Sequence, residues 1–123
     1  MLNPETAVLV VIDVQGKLAQ QMLGRDELFD RIGRMIRGCR ALDVPIVWAE
    51  QYPKGLGRTV PEVAEHLDGL APIEKNAFSC CGDAGFRSAL EATGRRQVLV
   101  SGIETHICVY QTVRDLLEGG YDL

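Results

Sequence analysis

Long hydrophobic runs are missing from this chain. Its most apolar stretch, AVLVVI at 7–12, is far shorter than the roughly 20 residues that span a bilayer. The stretch also lacks the basic flank and small-residue cleavage site of a secretory signal. No membrane partner is expected. A basic surplus is missing too: 13 Lys and Arg face 17 Asp and Glu, for a net charge of −4. Phosphate backbones are held by neutralising cations, so nucleic acid is excluded as the main partner. Of the ten Arg, five (Arg25, Arg31, Arg34, Arg37 and Arg40) interleave with apolar positions and read as the solvated face of one helix. Histidine is scarce. His66 and His106 alone do not make a zinc site, so no metal is expected, and no Gly-rich phosphate loop calls for a cofactor. The four cysteines are irregularly spaced, two of them adjacent (Cys80, Cys81), and read as free thiols in a reducing cytoplasm.

What is present is an ordinary globular composition, with 46% hydrophobic and 24% charged residues in 123, the size of one domain. AVLVVIDV (7–14) is a near-continuous aliphatic run, the pattern of a strand buried on both faces. Leu28, Ile32, Met35, Ile36, Cys39 and Leu42 then recur at helical spacing. VPIVWAE (44–50) is a second apolar run, followed by a Gly- and Pro-punctuated loop, QYPKGLGRT (51–59). VPEVAEHLDGL reads as a short helix with Pro in its first turn, and APIEK (71–75) as a weaker strand. GDAGFRSALEATG (82–94) carries helix start and stop signals in Asp83 and Gly94. RQVLVSGI (96–103) is a third strong run, and a helix follows from about Thr105 to Glu118. GGYDL reads as the turn into one more strand.

Strands alternating with helices predict an α/β fold: a three-layer, doubly wound, Rossmann-like parallel sheet with helices on both faces. The order of elements asks for further strands, so residues 1–123 are expected to form the N-terminal part of a longer domain. Ligands of such sheets bind beyond the carboxyl ends of the strands. Asp13, Glu50–Gln51, Glu74–Lys75 and the segment SGIETHIC fall at those ends. A carboxylate, an ammonium and a thiol at one edge have a chemical logic. An ammonium (Lys75) and a helix N-terminus both favour a thiolate at Cys108. Asp13 can shuttle the proton, and the backbone N–H groups of the turn 104–108 can hold an oxyanion. Each residue also has a plain reading, with Cys108 in a core, Lys75 in solvent and Asp13 bonded to the next loop. Spacing alone leaves a binding or scaffold protein open beside an enzyme. Phosphoryl transfer at Asp13 is disfavoured, because DVQGK has no second acid two positions on.

Together LVVIDVQGKL, EKNAFSC and GIETHICV resemble the isochorismatase-like cysteine hydrolases, and EQYPKGLGRTVPE resembles the subgroup of isochorismatase domain-containing proteins. The resemblance covers essentially the whole chain. It implies a catalytic triad of Asp13, Lys75 and Cys108, with Cys108 as nucleophile. It implies a cis peptide between Ile103 and Glu104 that aims the Glu104 and Cys108 N–H groups at an oxyanion. Gln15, Gln51 and Phe78, with Tyr110, are candidates to line a substrate pocket. Nicotinamidases of this family bind a metal through an Asp-x-His pair after the second strand. Here that region reads VWAEQYPKGLG and holds no His, so the expectation of no metal stands. The cysteine favours hydrolysis of a C–N bond in a small amide, ureide or carbamoyl substrate over isochorismate-type vinyl-ether hydrolysis. Members of the family commonly assemble, so a homo-oligomer is expected.

Overall fold

The computed structural model describes residues 1–123. Four parallel strands form one sheet in the order β3-β2-β1-β4, with β1 Ala7–Ile12, β2 Ile46–Gln51, β3 Ile73–Lys75 and β4 Gln97–Gly102. The helices are α1 Gly16–Gln20, α2 Arg25–Ala41, α3 Pro53–Leu56, α4 Pro61–Ala64, α5 Ala84–Ala92 and α6 Tyr110–Glu118.

The aliphatic run makes β1 the centre of the molecule. Val and Ile suit the pleat, and all six of its residues are buried. Because strand side chains alternate, Ala7, Leu9 and Val11 enter one core while Val8, Val10 and Ile12 enter another. The first core takes Phe29, Ile32 and Ile36 of α2 with Val63 of α4. The second takes Phe86 and Leu90 of α5 with Leu116 of α6. Helices thus cover both faces, as the sequence predicts. Each fully buried Val, Leu or Ile contributes about 1.5–3 kcal/mol, so this strand alone anchors both layers.

The structure adds short elements to the expected ones. The stretch 51–59, expected as a loop, contains the single helical turn α3, and a 3-10 turn (65–67) extends the helix of α4. Another 3-10 turn spans Cys80–Gly82. A π turn at Thr105–Val109 occupies the start of the helix expected from Thr105, and the α geometry begins only at Tyr110. After α6 the chain pairs with β4 in parallel through a bridge of Gln97 with Asp122, where the sequence predicts the entry to a strand.

The register determines which residues meet at the carboxyl edge. Ile12 pairs with Ala49 and with Gly102, and Gln51 pairs with Lys75. Asp13, one residue past β1, still donates its N–H to Ala49 O at 3.1 Å. Gly102 lets the π turn approach, since a Cβ there would stand 2.9 Å from Ile12 O and 2.7 Å from Val109 Cγ2.

Candidate active site

Asp13 adopts φ 54°, a left-handed conformation that Asp tolerates better than most residues and that marks a strained position. Its carboxylate is buried, and its Oδ2 accepts from the Lys75 Nζ at 2.9 Å. Lys75 is itself only 1% exposed. A buried ammonium needs acceptors for all its protons. Lys75 meets four: Asp13 Oδ2, Gln51 Oε1 at 2.6 Å, and the carbonyl oxygens of Ala77 and Phe78 at 3.0 Å each. The second carboxylate oxygen, Asp13 Oδ1, is buried and has no hydrogen-bond partner. In a molecule whose other buried side-chain polar atoms are all paired, that oxygen is a vacant proton acceptor.

Cys108 lies in the π turn and is 3% exposed. Burial pushes its thiol up to about 12, and the nearby Asp13 carboxylate pushes the same way while Lys75 opposes. This corrects the expectation that Lys75 and a helix N-terminus produce a resting thiolate. The Lys75 charge is spent on Asp13 and three uncharged oxygens, and desolvation outweighs what remains. At neutral pH Cys108 is a thiol beside Asp13.

The expected cis bond is also corrected. No peptide bond in the chain is cis, so Ile103–Glu104 is trans. A cis bond between these residues costs about 3–4 kcal/mol, and the turn forms without it, through Glu104 at φ −102°, ψ 69° and the π turn that follows. Glu104 O accepts from the N–H groups of Ile107 and Val109, while its own N–H donates to no protein acceptor.

Gln15 and Gln51 meet the protein and not an open face. Gln15 Oε1 accepts from Gln51 N at 2.6 Å, and its Nε2 donates to Gln51 O and Gly57 O. Gln51 Nε2 donates to Asn76 O at 2.9 Å. Phe78 offers its carbonyl to Lys75, and the residue is 55% exposed, as Tyr110 is at 58%. Glu50 falls at a strand end, and the sequence assigns it no role. It is buried and accepts from Thr59 N at 2.7 Å, Thr59 Oγ1 at 2.8 Å and Arg58 at 3.0 Å, tying the 51–59 segment to β2. A carboxylate ending an apolar strand was the available signal. A groove of about 410 Å³ between α5 and α6 is lined by Arg87, Asp115 and Tyr121 and includes none of Asp13, Lys75 and Cys108. The four cysteines are unpaired, and no group of His, Cys, Asp and Glu is arranged to hold a metal.

The isochorismatase domain matches residues 7–123, and the chain belongs to the isochorismatase family. It is 36% identical to isochorismatase domain-containing protein 2 of Danio rerio, over 99% of this chain and 61% of that protein. The structure of MAR1 ribonuclease from Caenorhabditis elegans superposes with a TM-score of 0.87 at 40% identity, over 98% of this chain and 62% of that one. The YcaC gene product of Escherichia coli, described as an octameric hydrolase of unknown specificity, shares the fold at a TM-score of 0.90 and 21% identity, over 98% and 61%. The chain therefore spans about three fifths of the length of the relatives it matches. No helix is long and apolar enough to cross a membrane.

Proposed function

We propose that this chain carries the nucleophile, base and ammonium of a cysteine hydrolase that cleaves the C–N bond of a small amide, ureide or carbamoyl substrate. The observation that carries the reading is the unpartnered Asp13 Oδ1, buried in an ion pair with Lys75 at the strand ends where Cys108 sits. As the sulfur attacks the substrate carbonyl, Oδ1 takes the thiol proton, so the buried thiolate never stands alone. The oxyanion is received by N–H groups of the turn, with Glu104 N–H free for it. Asp13 then gives the proton to the departing nitrogen. The C–N bond breaks and an acyl-thioester remains. Water, losing a proton to Asp13, attacks the thioester, and the thiol is restored as the acid leaves.

A cysteine base pair of this kind needs no metal or cofactor. The octameric relative supports a homo-oligomer, which light scattering on the purified protein checks. Localisation in the cytoplasm fits four unpaired thiols.

A panel of small amides, ureides and carbamates, assayed for released ammonia or amine, tests the reaction. Cys108→Ser and Asp13→Asn should each lower turnover by about 10³-fold or more. Full activity in Cys108→Ser sinks the covalent mechanism, and no turnover of any member by the wild type favours a binding or scaffold protein on this fold. An RNA substrate belongs in the same panel because of the worm relative's name. The net charge of −4 gives RNA no basic track, and no cleavage is expected.

A further inference from the structure

The charges around the Cys108 thiol do not balance. The carboxylates of Asp13 and Glu104 act on it in one direction and the Lys75 ammonium in the other. The ammonium is already shared among Asp13 Oδ2, Gln51 Oε1, Ala77 O and Phe78 O. It has three protons, and none is left for a further anion. Asp13 and Lys75 thus form a pair of zero net charge that offers an incoming molecule one vacant acceptor, Asp13 Oδ1, and no donor.

Glu104 is the charge left over. It caps the π turn that carries Cys108 and stands two residues past Gly102, which pairs with Ile12 at the end of β1. Its side chain is partly buried, and it takes part in none of the ion pairs of the chain. The cations in the segments that follow the strand ends are engaged elsewhere or hydrated. Arg58 joins Glu50 to Glu74, and Lys17 and Lys54 are exposed on α1 and α3. A carboxylate brought to Cys108 would meet two carboxylates and only the backbone N–H groups of the turn as donors. Like charges repel strongly where little water screens them, so an anion is held off. An uncharged amide meets no such barrier, and its N–H groups suit the vacant oxygen of Asp13.

We propose that Glu104 is a specificity-determining residue that keeps anions from Cys108, so that the site takes amides and ureides bearing no negative charge. The proposal rests on the reading of Cys108 as nucleophile and Asp13 as base, and narrows its substrate class.

Iodoacetamide and iodoacetate are nearly equal in size and differ by one negative charge. Alkylation of Cys108 by each is followed by peptide mass spectrometry at pH 8.5 and low ionic strength, in the folded protein and in the urea-unfolded chain. The ratio of the two rates is the readout. A change in the reactivity of the thiol itself speeds or slows both reagents and cancels. The folded protein should prefer iodoacetamide about tenfold more than the unfolded chain does. Glu104→Gln keeps the size of the side chain and the backbone N–H, and should bring that preference to within about twofold of the unfolded value. Glu104→Asp keeps the charge and should keep most of the preference, which a packing role would not produce. Thermal melts confirm that both variants are folded. A wild-type ratio equal to that of the unfolded chain overturns the proposal, and so does a preference that survives Glu104→Gln. Failure of the underlying reading looks different. There Cys108 reacts with neither reagent faster than Cys39, Asp13→Asn changes nothing, and the proposal goes with the reading.

Discussion

The carboxyl edge of the sheet is built in two unlike halves. On the β2–β3 side, Gln15, Glu50, Gln51, Thr59 and Lys75 are buried and their polar atoms are mutually satisfied. On the β4 side, the turn 104–109 is held by a few backbone bonds, and Thr105, His106 and the neighbouring Tyr110 are exposed. The half that must hold charge is stiff, because a misplaced buried ion is costly. The half that carries Cys108 has few side-chain bonds to break, which suits the proposed entry of a substrate carbonyl there. Preorganised charge and the Cys108 thiol are thus supplied by different stretches of chain.

The largest expected effect comes from breaking the stiff half at its ion pair. Lys75→Met leaves Asp13 buried without a counter-charge and should cost about 3–5 kcal/mol of stability, read by denaturant unfolding. A loss under about 1 kcal/mol means that the pair is wetter than its burial indicates. Glu50→Ala comes next. It strips the acceptor from Thr59 and Arg58 and should cost about 1.5–3 kcal/mol, with faster amide hydrogen exchange across 52–59 and little change across 104–109. Equal acceleration in both segments would erase the contrast between the two halves.

The smallest effect sharpens the thiol side. Burial pushes both Cys80 and Cys108 up to about 12 from an ordinary value of 9.0. Below pH 9.0 the thiol is protonated in folded and unfolded chains alike. Between 9.0 and about 12 the unfolded chain loses the proton while the folded chain keeps it, so stability falls as pH rises. The slope is at most about 1.4 kcal/mol per pH unit for each thiol. Cys80→Ala should flatten the alkaline limb of a Tm-against-pH curve, and an unchanged limb would show that its thiol is not protected.

The same division explains what could be read without a structure. β1 was legible because all six of its residues are aliphatic and buried, and α2 because its apolar positions repeat with its period. α3 was not, since PKGL has no periodicity to detect and its turn is made by contacts with Gly16 and Gln15. Asp13, Lys75 and Cys108 lie at strand ends where the resemblance places catalytic residues, and the fold brings them to one edge. The trans peptide at Glu104 and the neutral thiol were not foreseeable, because the first depends on the conformation of a turn and the second on burial against a charge. The contact of Gln51 with Lys75 was hidden for a similar reason: the two are 24 residues apart and become neighbours only through strand register.

The π turn at Thr105–Val109 has an evolutionary corollary. It holds one residue more than an α-helical turn, so it amounts to a single-residue insertion tolerated in the chain. Deleting Val109 from it would let α6 wind straight back to Glu104. Every side chain before the deletion would then rotate by about 100° against the apolar face that Thr112 and Leu116 keep towards the sheet. Cys108 would leave the strand ends although no atom of Asp13 or Lys75 had changed. If the proposed chemistry holds, relatives that keep it should keep the length of this segment even where they vary its letters.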